Sequence, residues 1–276
     1  MITTRAQETG SGTEPGLSAA FGAIFFAPTN HPREQKGEGV MGEWNSVERR
    51  LQGILSLPRR PVAVAFLDGP PAGMPKFTGS EPSGCSFWRL AAEGKSFYTV
   101  PADHYNCPIG SYTHNIPFPE ERAQELTETL GFMTGLGYLK MEEVPGIPRL
   151  PKTPVTVVYA PLGEMPVEPD VILLAGRPGK IMLVHEAATR AGVAATLPLL
   201  GRPTCMALPA ALASGVVVSG GCIGNRVYTG LGEDELYVAI PGTCLLQIAE
   251  EMEGIAVANV KLFEYHSQRR HQLASE

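Results

Sequence analysis

The sequence predicts a mixed α/β fold, and three observations predict it. Short apolar runs rich in valine and alanine recur along the chain, among them "PVAVAFL", "VTVVYA" and "DVILLAG". Between them stand segments whose apolar residues fall three and four apart, the helical period. Glycine (31) and proline (25) punctuate both kinds of segment, as they do where elements are short. Strands alternating with helices bury their apolar faces against one another in layers.

The elements follow in order. Helical spacing begins in "WNSVERRLQGILSL", where Val47, Leu51, Ile54 and Leu55 share a face, Asn45 or Ser46 can cap, and Pro58 ends the helix. "PVAVAFL" reads as a buried strand, and residues 68–83 as a Gly/Pro/Ser loop. "CSFWRLAAEG" is a helix closing on Gly94, "KSFYTV" a strand and "PADHYNCPIGSYTHNIPFPE" a loop. "ERAQELTETLGFMTGL" is a helix with Leu126, Leu130 and Met133 on one side, and Val144–Thr153 is a proline-rich connector. Beyond it come strands "VTVVYA" and "DVILLAG", helix "GKIMLVHEAATRAG" and the short helix of "RPTCMALPAALASG". A β-rich "VVVSGGCIGNRVYTGLGEDELYVAIPG", helix "TCLLQIAEEMEG" and a polar tail complete the chain.

Composition bounds the function. With 276 residues, 43% hydrophobic and 18% charged, the chain can bury a real core. Its formal net charge of -6 offers no basic excess to neutralise phosphates, which excludes a nucleic-acid partner. No apolar run is long enough to span a bilayer, so no membrane partner is expected. The stretch "LSAAFGAIFFAP" resembles a signal core, but Glu8 and Glu14 precede it with a single Arg5, a poor basic flank. Residues 1–43 therefore read as a disordered leader outside the native pattern, with Met41 as the start. Without export the compartment is cytoplasmic and reducing, and five cysteines there are not expected to form structural disulfides.

Two stretches match each other: "CSFWRLAAEGKSFYTVPADHYNCPIGSY" and "CMALPAALASGVVVSGGCIGNRVY". Each opens on a cysteine (Cys85, Cys205) and runs through a short helix to a glycine (Gly94, Gly215). A β-rich run then leads to a second cysteine in a glycine turn (Cys107, Cys222), with a tyrosine soon after (Tyr112, Tyr228). The expected architecture is two degenerate strand–helix–strand–Cys-turn half-repeats, 44–143 and 144–265, packed as one globular unit and followed by a polar tail at 266–276.

Four of the five cysteines thus occupy matched places, and the expectation is one metal centre held by Cys85, Cys107, Cys205 and Cys222. Cys244, at the start of an apolar helix face, reads as a core residue. There is no C-x-x-C, so finger, ribbon and thioredoxin readings lose their local signature. Two details favour an iron–sulfur cluster, of the 4Fe–4S kind, over the alternatives of zinc or no metal. Glycine turns at Gly110 and Gly224 can aim backbone N–H groups at sulfur. Arg89 and Arg226, each four residues after a cysteine, can offset thiolate charge.

A second reading needs no metal. Cys107 would be a low-pKa thiol in a small-molecule-binding protein or thiol enzyme, assisted by His104 or His114, with Tyr112 as a further candidate. His185 reads as structural. "GRPGK" at 176–180 lacks phosphate-loop spacing and reads as a plain turn into a helix.

The cysteine runs, the upstream "RPVAVAFL" and the downstream "SGGCIGNRVYTGLGEDELYVAIPG" together resemble a prokaryotic family known as domain of unknown function 169, over about residues 45–265. The resemblance implies an architecture with cysteine turns and supplies no reaction. A small-molecule substrate or a redox partner protein is expected, with a homodimer as the default assembly.

Overall fold

The computed structural model describes residues 38–200 and 202–274. Up to residue 37, the expected leader lies outside the described residues. The first helix, α1 (Glu38–Leu55), starts seven residues before the expected Asn45/Ser46 cap, because nothing from Glu38 onward breaks a helix. β1 (Val62–Leu67), α2 (Gly84–Ala92) and β2 (Phe97–Thr99) follow as expected. The next segment differs from expectation. The stretch read as loop contains α3 (Pro108–Thr113), with Cys107 as its N-cap and Pro108 at its first position, where the missing N–H costs nothing. Then come α4 (Ala123–Gly135), β3 (Thr156–Pro161), β4 (Val171–Gly176) and α5 (Pro178–Arg190). β5 (Ala195–Leu200), α6 (Ala207–Ser214), β6 (Val217–Gly221), α7 (Ile223–Thr229) and β7 (Leu236–Pro241) lead to α8 (Leu245–Ala274). The polar tail is thus helical through Ala274: no proline interrupts it, and its arginines and glutamines are good helix formers.

Among the described residues seven strands form one sheet in the order β2-β3-β1-β4-β7-β6-β5. All neighbours are antiparallel except β5 and β6. Alternation along each strand sends side chains to two cores. Val62, Val64, Val157, Tyr159, Val171, Leu173 and Tyr237 face a layer built from α2, α3, α4 and α6. Ala63, Ala65, Val158, Ile172, Leu174 and Ile240 face α1, α5 and α8. No described helix is long and apolar enough to cross a membrane.

Strand pairing has a local two-fold. β1 and β4 pair about Ala63↔Ile172, with Val62↔Leu173 and Val64↔Val171 on either side. β3 lies on β1 with Val62↔Pro161, and β7 on β4 with Val171↔Pro241. β2 joins β3 at Tyr98↔Val158, and β6 joins β7 at Ser219↔Val238. The connections are less alike. α5 and β5 lie between β4 and α6, whereas β1 leads to α2 through a loop. β3, which the sequence reading assigns to the half starting at 144, hydrogen-bonds to β1 and β2.

Candidate metal centre

Cys85 sits in the first turn of α2, where Ser83 caps the helix by accepting the Cys85 N–H at 3.3 Å. Cys205 lies in the 3-10 turn Thr204–Met206 that leads into α6. Both are buried. Cys107 and Cys222 are half-buried helix N-caps, and each thiol sulfur accepts the backbone N–H three residues on. Gly110 donates to Cys107 Sγ at 3.3 Å, and Asn225 donates to Cys222 Sγ at 3.3 Å. The glycine turns expected around these cysteines are therefore first turns of helices. Gly224 is one residue out of step with Gly110, whose counterpart in the bond to sulfur is Asn225.

The structure brings the four thiols into one neighbourhood. Cys107 Sγ lies 3.6 Å from Ser83 Oγ, at the start of the Cys85 helix. Cys222 Sγ accepts the N–H of Thr204, next to Cys205, at 3.4 Å. Across the halves, α2 packs on α7 and α3 packs on the turn that carries Cys205. Burial pushes the Cys85 thiol pKa up, and the neighbouring Cys107 and Cys222 thiols push it further. Burial likewise raises Cys205, which feels Cys85, Cys107 and Cys222. All five cysteines are free. Among the described residues, no three His, Cys, Asp or Glu side chains stand where they could hold a single ion.

Around the thiols lie buried polar atoms with no hydrogen-bond partner among the described residues, including Tyr159 Oη, Thr204 Oγ1, His104 Nδ1 and His114 Nε2. Buried polar groups of this kind are ordinarily paired. The sequence reading missed Tyr159; its one signal is a lone tyrosine in an otherwise aliphatic strand, "TVVYAP".

His104 and His114 are buried beside each other, with ring centroids 5.5 Å apart. His114 Nδ1 donates to the Gly110 carbonyl at 2.7 Å, which leaves Nε2 as a bare acceptor. Thr99 Oγ1 donates to the Val157 carbonyl and therefore accepts from His104 Nε2 at 2.8 Å, leaving Nδ1 bare. Burial pulls His114 down to about 4, against the opposing effect of its bond to Gly110. Burial, then the charge of His114, holds His104 well below its usual value.

Other expected site residues are engaged elsewhere. Tyr112 donates to the Val144 carbonyl at 3.4 Å and lies under the Arg149 guanidinium. Arg89 pairs with Glu93 at 2.8 Å and Glu81 at 3.8 Å. Arg226 donates to the Glu233 carbonyl at 3.1 Å. Cys244 packs at the edge of the other core.

Gly110 is constrained by the cap. A Cβ there would meet Cys107 Sγ at 2.8 Å, whereas one at Gly224 would meet only the Tyr228 ring at 3.9 Å. Gly110→Ala is expected to displace the thiol and lose about 1 kcal/mol of stability, the scale of a lost N-cap. Urea denaturation measures it; an unchanged midpoint would show that the sulfur does not need that position.

A model of DUF169, described as an uncharacterised ArCR family, matches residues 50–251. No curated protein and no solved structure matches.

Proposed function

The chain belongs to the DUF169 family, a membership that assigns no reaction, and from the site itself we propose a cytoplasmic metal-binding protein. Cys85, Cys107, Cys205 and Cys222 hold an iron–sulfur cluster, in a redox or substrate-binding role. The observation that carries this is four thiols, two from each side of the strand two-fold, on helix starts that pack against one another. The donor set fits in kind. Thiolates are the ordinary ligands of such clusters, and backbone N–H groups directed at sulfur are a usual way of tuning them. Gly110, Asn225 and Thr204 supply such groups.

A cluster is favoured over zinc because backbone N–H groups are directed at the Cys107 and Cys222 sulfurs, as they are where a cluster is tuned. When bound it supplies one-electron transfer. The protein's part is to hold the four sulfurs and to exclude water with Trp88, Phe87 and Tyr159, all fully buried. The high pKa of Cys85 and Cys205 means that loading releases protons, so loading weakens as pH falls. A redox protein or a small molecule is the partner this reading calls for.

The thiol-enzyme reading has less support. Cys107 Sγ engages Gly110 and Ser83, while neither histidine's free nitrogen bonds any described atom.

Purification without air tests the proposal. The expected product is brown, with iron and acid-labile sulfide in equal amounts, roughly four of each per chain. Cys107→Ser and Cys222→Ser should each lose most of the iron, and Cys244→Ser should keep it. A colourless, metal-free wild type sinks the reading. Rapid alkylation of Cys107 alone in that metal-free protein would favour the thiol enzyme.

A further inference from the structure

We infer that Tyr159 is a positioned hydrogen-bond donor to the sulfur-rich anionic group held by the four cysteines, and so helps set its reduction potential; this rests on the cluster reading above.

Tyr159 sits in the middle of β3, on the face that carries the cysteines. Its ring is fully buried, stacked on Phe87 at 5.4 Å and flanked by Phe97 and His104. Those contacts fix the ring and therefore the direction of the hydroxyl. The hydroxyl itself has no partner among the described residues. A buried tyrosine hydroxyl ordinarily finds one, and leaving it unpaired is destabilising. The ring packs on Phe87 of the helix that carries Cys85, in the same core as Cys85 and Cys205, and those two thiols and Cys107 add to the effect of burial in raising its pKa. A buried, unpaired O–H set among cysteine thiols has an electron-rich sulfur acceptor as its complement. It could serve neither a cation nor an apolar ligand in this way.

Such a donor stabilises the reduced, more negative cluster over the oxidised one, because hydrogen bonds to sulfur raise the potential. The same reasoning makes the hydroxyl a liability while no acceptor is present. Tyr159→Phe keeps the stacked ring and removes only the oxygen, so its effect should change sign with loading. In metal-free protein the variant should melt at the same temperature as wild type or higher. In loaded protein it should bind the same amount of iron but be harder to reduce.

The experiment measures thermal melting of metal-free wild type and Tyr159→Phe, and a spectroelectrochemical titration of both after anaerobic loading with iron and sulfide. A lower melting temperature of the metal-free variant overturns the inference, because the hydroxyl would then have a structural partner such as a buried water. Normal iron content with an unchanged potential overturns it while leaving the cluster reading standing. Failure of the wild type to take up iron removes both.

Discussion

Gly242→Ala is expected to cost about 3 kcal/mol or more of folding stability, at or beyond the upper end for an overpacked core. A methyl group there would stand 1.7 Å from the Pro169 carbonyl oxygen and 2.8 Å from its carbon. Neither atom belongs to a side chain that can swing aside. The Gly242 N–H also donates to the Asp170 carbonyl at 2.8 Å, so retreat of the chain would break the bond that fastens the end of β7 to the start of β4. The corresponding bond in the other half, Leu162 N–H to the Pro61 carbonyl at 2.9 Å, is made by a leucine. The N–H is therefore the shared requirement, and the missing side chain is particular to 242. Gly224→Ala is the control, since its Cβ would meet only an ordinary contact at 3.9 Å. Urea denaturation should separate the two variants clearly. Equal midpoints would mean that the β4–β7 junction relaxes more readily than its backbone contacts imply.

The fold was legible where burial was uniform. β1, β3 and β4 are short runs of valine, alanine, isoleucine and leucine with buried residues on both faces, and such runs announce themselves without any partner in view. β5 does not announce itself in the sequence, because "ATLPLL" carries a proline. A proline is tolerated there because β5 is the last strand in the order, an edge where a missing N–H breaks no ladder. α8 runs past the helix that its apolar pattern predicts, because its second half lacks a core-facing stripe. Val257, Val260, Leu262, Phe263 and Tyr265 are exposed, so helix propensity rather than burial carries the helix onward.

At the site, the four cysteine positions were readable from their matched spacing, but the geometry that joins them was not. Cys107 and Cys222 look like turn residues in the sequence because glycine and proline surround them. They are N-caps instead, a role more familiar in serine or aspartate, and the proline is the first helical residue. Charge misled in a different way. The i+4 spacing that puts Arg89 on the cysteine helix also puts Glu93 four residues beyond the arginine. The nearer, exposed carboxylate takes the guanidinium. Tyr159 could not be found from sequence, because its significance lies in what stands opposite it across the fold.

The second large effect is acid lability from the paired histidines. Folding holds His104 and His114 neutral in the core, while in the unfolded chain each titrates near 6.5. Burial lowers His114 to about 4 in the folded protein and drives His104 down as well. The unfolded state therefore binds more protons than the folded one below pH 6.5, and stability falls as pH falls. For His114 the loss begins near 6.5, amounts to about 2 kcal/mol by pH 5, and levels off below 4. His104 adds a loss of the same sign, and half-buried His185, also shifted down by burial, adds a smaller one. Glu125 and Glu143, held below their ordinary value by Arg122 and by the Lys140 N–H respectively, titrate below this window. Urea midpoints measured from pH 7.5 down to pH 5 should thus fall steeply below about 6.5. His114→Phe is expected to be somewhat less stable at neutral pH, because the ring's hydrogen bond to the Gly110 carbonyl is lost while the His114 N–H and Thr113 Oγ1 still donate to it, yet to have a shallower slope between pH 6.5 and pH 5 by close to one proton. A wild-type profile flat across that interval, or a variant slope as steep as wild type, would mean that His114 takes up its proton without unfolding the core around it.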